Sequence, residues 1–407
     1  MKGTLLCVLL AVSLLAGCGR ANEIQGAATA AAPADAVEQA VLMRCDDLAA
    51  LCRPVYAANA ALPAVATAED TTAVLDDAAR AALWAGLQAA GLPLMTDEGG
   101  QIRALYNVDD FDAFWTSVSA GQDDVRDALA LLADGSLLYR QYGQTAGQPY
   151  CAEAGIRWQN GEPVISYNGK TDVKSWCYTE RKNLIYDLDL PDKWELDGHE
   201  MLRTAPRGEQ EKMLADYTDE YIEPVGYQGN NLFITDWSAP NFSGIRWNDL
   251  IDPLYKMYTG LDLHGERWLI DPEMMTGCIP ASVFEPAVYH FFDLSADTLR
   301  KCAEYDVSRN GYLWRELNIG NWLHNPPMQP EVVQAEEKGG CLILTVNVIS
   351  LQQETDDLFT HELTLRILPE GKFHYIANRV TAGQEALPRY APRLDERWTR
   401  ESAFDAQ

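Results

Sequence analysis

Positive charge is scarce in this chain: its 407 residues carry 32 Lys and Arg against 60 Asp and Glu, a formal net charge of −28. Nucleic acid needs a basic footprint to neutralise phosphate, so a nucleic-acid partner is excluded. The acidic residues fall in short clusters such as Asp109-Asp110, Asp123-Asp124 and Asp356-Asp357, the pattern of a solvated, self-repelling surface. Neighbouring carboxylates point in different directions along a helix or strand, which argues against any of these pairs working together on a glycosidic bond. Motifs of catalysis are missing as well. There is no G-x-S-x-G elbow, no H-E-x-x-H and no phosphate-binding Gly loop. Nine cysteines include no C-x-x-C pair, which weakens zinc and thioredoxin-type readings, and no cofactor is called for. After residue 16 no apolar run is long enough to span a bilayer.

What is present begins at the N-terminus. Lys2 precedes an apolar stretch from Leu5 to Ala16, too short for a permanent membrane helix and of the length of a cleaved signal. It ends on Leu15-Ala16-Gly17-Cys18, which resembles the lipobox of bacterial lipoproteins. The resemblance implies a signal peptide over residues 1–17, cleavage before Cys18, a diacylglycerol on the Cys18 thiol, and a protein held at the extracytoplasmic face of the cell membrane. Two acyl chains suffice for stable anchoring, at about 0.8 kcal/mol per buried methylene. Cys7 leaves with the signal and Cys18 carries lipid, so seven cysteines remain; Cys45 with Cys52 and Cys151 with Cys177 are the local disulfide candidates, against buried free thiols.

Residues 18–44 are rich in Ala, Pro, Thr, Gln and Glu and read as a flexible tether. Residues 45–190 read as an N-terminal α+β module. Val74–Ala90 and Asp109–Ser119 are its helices, the second with Phe111, Phe114, Trp115 and Val118 on one face. Short β-prone runs follow from Leu137 to Leu188, with Asn160-Gly161 and Asn168-Gly169 as hairpin turns. Residues 191–278 are a mixed middle segment: a helix over Glu209–Tyr221, a strand over Leu232–Thr235, and a short helix to Tyr258 capped by Asp252, with Pro253 at its first position and Gly260 past its end. Residues 279–382 form a C-terminal α+β module. Ser282 and Glu285 have capping-box spacing, Ser295 caps a second helix, and strands run to Val380, with Phe359, Leu363, Leu365 and Ile367 on one face of the longest. Residues 383–407 read as an extended tail. The fold class is thus α+β, two helix-plus-antiparallel-meander modules joined by the middle segment; the element order resembles cystatin-like folds, where a helix crosses a curved antiparallel sheet. The run from Ile279-Pro280-Ala281 through Phe284-Glu285 to Thr360-His361-Glu362-Leu363-Thr364 resembles uncharacterised lipoprotein families of Gram-positive anaerobes, a resemblance that implies no site residue.

Four groups of residues compete as sites. Asp306-x-Ser308-x-Asn310-Gly311 places oxygen ligands at the alternating positions of a calcium loop, but Glu316 falls one residue before the bidentate position, so the segment is read as a turn into a strand. Asp262-x-His264-x-Glu266 has metal-type ligands, interrupted by the loop-forming Gly265. His361 and His374 lie on strands flanking Pro369–Lys372, with His374 expected opposite Ile367, and are read as satisfied edge or core histidines. Trp237, Trp247, Trp268 and Trp322 sit beside Pro, Gly, Asn and Asp, where a ligand surface for a glycan or protein is expected, whereas Trp115, Trp158 and Trp314 are read as core. The function expected from these features is that of a membrane-anchored, non-enzymatic binding or interaction protein. An extracytoplasmic hydrolase of glycan or peptide, built from carboxylates distant in sequence, is the alternative.

Overall fold

The computed structural model describes residues 36–394, apart from 60–63, 68–69, 74, 99–100, 107–110, 133, 160–161, 192–196, 205–208, 274 and 318–327. The chain divides into two compact units, Met1–Arg207 and Gly208–Gln407. Both are α+β with antiparallel sheets. Among the described residues no helix is long and apolar enough to cross a membrane.

Unit 1 opens with helix α1, Ala36–Ala58. The expected tether therefore gives way to helix at Ala36. Val41, Cys45, Leu48, Ala49, Cys52 and Tyr56 recur at helical spacing and are all buried, and the abundant Ala that imitates a linker is also the best helix former. A hairpin of β1 (Ala64–Thr67) and β2 (Asp70–Ala73) follows. Helix α2 spans Asp77–Ala89; the Asp76 carboxylate accepts the Ala79 N–H, which sets its start three residues after Val74. The rest of unit 1 comprises β3 (Leu94–Glu98), β4 (Gln101–Tyr106), α3 (Phe111–Ser119), β5 (Asp124–Leu131), β6 (Leu137–Thr145), β7 (Gln148–Gln159), β8 (Glu162–Tyr178), β9 (Asn183–Leu188) and β10 (His199–Arg203). These strands form one sheet in the order β10-β9-β8-β7-β6-β5-β3-β4, antiparallel except for the β3–β5 pair. The sheet curls until β10 touches β4.

Alternation along β6 assigns the two faces of that sheet. Leu137 and Tyr139 join the outer core with α1 and α2, while Leu138 and Tyr142 point inward to Phe111, Phe114 and Val118 of α3. Strand β8 was expected as two strands joined by an Asn168-Gly169 turn; instead it is continuous, because Asn168 is taken up as a bulge between the Glu153–Gly169 and Ala154–Tyr167 pairs. A second shift leaves Lys174 unpaired between Val173 and Ser175. The bulges reset the facing: Ile165 and Tyr167 pack outward, while Val173, Trp176 and Tyr178 pack inward. Gln159 pairs with Glu162 across the expected Asn160-Gly161 turn, itself outside the described residues.

Unit 2 begins with α4, Glu209–Tyr217, continued by a wider turn over Thr218–Ile222. It continues through β11 (Trp237–Ser238), α5 (Trp247–Thr259), β12 (Leu269–Asp271), β13 (Thr276–Pro280), α6 (Ala281–Phe291), α7 (Ala296–Cys302), β14 (Tyr305–Asp306), β15 (Gly311–Arg315), β16 (Met328–Lys338), β17 (Cys341–Ser350), β18 (Thr355–Ile367) and β19 (Phe373–Ala382). The strands make a five-stranded sheet, β11-β19-β18-β17-β16, and a four-stranded sheet, β12-β13-β15-β14. The residues expected as a middle segment, 191–278, are thus shared: β10 completes the sheet of unit 1, and the chain from α4 onward lies in the core of unit 2. Leu232–Thr235 is a buried turn and not a strand. Helix α5 starts at Trp247, five residues before the expected Asp252 cap, and accommodates Pro253 in its second turn; Gly260 ends it in the left-handed region, as its position predicts. Glu285 does not complete a capping box, because Pro280 takes the cap position and the carboxylate accepts from Arg300 and Tyr312 instead. Ser295 does cap α7, accepting from the Thr298 N–H.

Two polar contacts hold unit 2 together. His361, fully buried on β18, donates from Nδ1 to the Asn378 Oδ1 at 2.7 Å and accepts the Tyr227 hydroxyl proton at Nε2 across 2.9 Å; the Asn378 amide donates to the carbonyls of Phe233 and Thr235. The second contact involves the segment expected as an extended tail, which is packed down as far as Leu394. Arg393 is buried and bonds the Asp252 carboxylate and the carbonyls of Asp249 and Gly229, while Tyr390 donates to the Asp249 carboxylate. Burial pushes the Asp249 carboxyl up, and the charge of Arg393 only partly offsets it.

Two outcomes follow. Burial lowers the His361 imidazole from 6.5 to about 4, so the unfolded chain takes up a proton below pH 6.5 that the native ring refuses. The stability from this group is complete above pH 6.5 and falls by about 3 kcal/mol as pH drops towards 4. Urea midpoints measured between pH 7 and pH 5 (roughly the upper part of that window) should decline in the parent and decline less in His361→Gln. Arg393→Ala strands the buried Asp249 carboxylate and should lower unfolding free energy by about 3 kcal/mol, read from denaturant curves at neutral pH.

Candidate functional site

The residues singled out in the sequence do not come together. Trp237 and Trp247 are buried in the core of unit 2, at 6% and 0% exposure, so they correct the expectation of a tryptophan ligand surface. The Trp237 indole donates to the Leu232 carbonyl, and Trp247 packs edge-on to Phe292 at 4.8 Å: Gly, Pro and Asn beside them mark tight turns through the core, where large rings fill space. Trp268 is half-buried, with the Arg267 guanidinium 5.0 Å above its ring, and Trp322 lies outside the described residues, as does Cys18. Trp314 is core, and Trp115 is half-buried.

The oxygens of the calcium-like run are used inside a hairpin. Asp306 accepts from the Ser308 hydroxyl at 2.6 Å and from the Arg309 backbone and guanidinium; Asn310, at φ 50°, accepts from Tyr305; and Glu316 lies beyond β15. Asp262 pairs with Lys256 at 2.9 Å and His264 with Glu266 at 3.2 Å, all exposed. His374 stands opposite Arg366, not Ile367, one residue from the expected register. Cys45, Cys52, Cys151 and Cys177, the disulfide candidates, are free thiols; burial pushes Cys45 and Cys52 up to about 12, which makes them poor nucleophiles.

The cluster that does assemble lies on the inner face of unit 1 and was not singled out from the sequence. Arg140 on β6 is 2% exposed, a full charge inside a curled sheet. Its cross-strand partner on β7 is Glu153, which forms an ion pair with Nε. Glu200, brought in by β10, accepts Nη1 at 2.8 Å and the Tyr186 hydroxyl at 2.8 Å. Tyr142 reaches the Tyr186 oxygen at 3.2 Å, so the hydroxyls form a relay from Tyr142 through Tyr186 to Glu200. Burial first, then Glu200, raises the Tyr186 hydroxyl, and both tyrosines keep their protons. Desolvation opposes the charge on Arg140, but Glu200 and Glu153 more than restore it. Arg140 Nη2 is buried without a hydrogen-bond partner among the described residues.

The two carboxylates are less covered, with side-chain exposures of 27% for Glu153 and 24% for Glu200. In each, one oxygen is bound by Arg140 and the other accepts no hydrogen bond among the described residues. Trp176 stands opposite Tyr186 on the same inner face, and its ring meets Trp115 at 5.8 Å. The arrangement offers fixed acceptors, one buried donor and half-buried aromatic rings. The sequence did carry one signal, a lone Arg inside the largely apolar run Leu137–Tyr142, but its partners lie 13 and 60 residues away along the chain.

Arg140→Met should lower the unfolding free energy by about 3 kcal/mol, because it leaves two half-buried carboxylates without their counter-ion; denaturant curves check it. No curated protein and no solved structure matches the chain. One family model does, that described as Family of unknown function (DUF6070), over residues 38–393, a span that contains both units' cores and the Arg140 cluster. The chain therefore belongs to the DUF6070 family.

Proposed function

We propose that this chain is a lipoprotein, tethered through lipid on Cys18 to the extracytoplasmic face of the cell membrane, whose folded body serves as a binding module. The observation that carries the reading is Leu15-Ala16-Gly17-Cys18 at the close of a short apolar run behind Lys2. Lipid on one thiol supplies the anchor, and a net charge of −28 keeps the body soluble and repelled from an anionic bilayer surface. Binding is favoured over hydrolysis because the carboxylates that the fold gathers, Glu153 and Glu200, are both already ion-paired to Arg140. Such a pair offers rigid acceptors for a ligand and no free proton donor for bond cleavage.

The test is fractionation with lipid labelling. The parent chain should partition into membranes and incorporate a fatty-acid analogue, and Cys18→Ala should do neither. Membrane association that survives this substitution, or a mature N-terminus other than residue 18 with an unmodified thiol, overturns the anchor.

A further inference from the structure

We propose that the inner face of unit 1, at Arg140, Glu153 and Glu200, binds ring hydroxyls of a saccharide; this rests on the reading of the body as a binding module. Three ligand chemistries can be weighed against the groups present. An anion would meet the guanidinium but also two carboxylates, each with an oxygen left open beside Arg140. An amine or metal cation would meet those carboxylates but be repelled by Arg140, and would leave the Nη2 hydrogens still without an acceptor. A hydroxyl both donates and accepts, so it can donate to an open carboxylate oxygen while taking a hydrogen from Nη2. Vicinal hydroxyls do this twice, and hydrogen bonds to ionised partners are the strong kind.

The neighbouring surface fits the rest of a sugar. Trp176 shares the face through its pairing with Tyr186, and with Trp115 and Tyr178 it forms a half-buried group of rings 5.7 to 5.8 Å apart. Such rings accept the apolar C–H face of a pyranose. The acceptors are held in place beforehand: Glu200 is fixed by Arg140 and Tyr186 together, and Glu153 by its cross-strand position.

The experiment uses the full chain in detergent with three probes: cellobiose, maltose and N,N′-diacetylchitobiose. Carbodiimide coupling of glycinamide, mapped by peptide mass spectrometry, reports the accessibility of each carboxylate in the unaltered protein. At least one probe should slow labelling of Glu153 and Glu200 by about tenfold while the exposed Glu336 and Glu337 are unaffected, and Glu200→Gln should weaken calorimetric affinity for that probe by about tenfold. If Glu200→Gln fails to fold, the labelling of the parent decides alone. Unchanged labelling of both residues with all three probes overturns the proposal, as does undiminished affinity in a folded Glu200→Gln. Calorimetric binding without protection at these two residues discards this site and leaves the binding-module reading standing.

Discussion

A guanidinium placed inside a sheet has to be matched where it lies, and much of the inner face of unit 1 follows from that requirement at Arg140. Water solvates a cation far better than a protein interior does, so the ion survives burial only with counter-charges in contact and its hydrogen bonds largely met. Glu153 comes directly from the neighbouring strand, but Glu200 comes from the end of the sheet. The sheet must therefore curl for β10 to reach the guanidinium of β6, and the Tyr142–Tyr186 hydroxyl relay closes across the same interior. Apolar packing of Phe111, Phe114 and Val118 supplies the gross stabilisation, at roughly 25 cal/mol per Å² of apolar surface removed from water. The ionic cluster adds the requirement for one particular curvature.

Unit 2 meets the same constraint with different chemistry. Its interior polar groups are mostly neutral: His361, Asn378 and Tyr227 satisfy one another and two backbone carbonyls, so no net charge is brought into the main core. Where a charge is buried, at Asp249, the counter-ion arrives from the far end of the chain in Arg393. The residues from Leu387 to Leu394 are thus part of the unit's closure, with Leu387 and Tyr390 packed on the core and Arg393 buried.

Local signals in the sequence carried far, and failed where tertiary contacts decided the outcome. Helix α3, the Ser295 cap, the Gly260 stop and the alternation along β18 could all be read, because each is set by residues within one or two turns. Helix α1 was hidden by its alanines, which serve linkers and helices alike, and only the spacing of Val41, Cys45, Leu48, Cys52 and Tyr56 separates the two. Loop-type neighbours misplaced Trp237 and Trp247, since a turn that crosses a core needs the same Gly and Pro as a turn at the surface. The candidate site was legible only as an oddity, one Arg amid apolar residues. Its partners depend on strand register and sheet closure, which no short window of sequence contains.

The bulges of β8 have a consequence for how this family can vary. Each is a single extra residue, and in a strand a single residue exchanges inside for outside. Asn168 and Lys174 therefore act as frame shifts within one long strand: the segment before the first serves the outer helices, that between them turns Val173 inward, and that after the second delivers Trp176 and Tyr178. Deletion of Lys174 would close the ladder into regular pairing and keep both rings inside, whereas drawing Lys174 into the ladder as a paired residue would rotate them out of the interior. Among relatives, gaps at these two positions would therefore be absorbed more easily than gaps elsewhere in the strand.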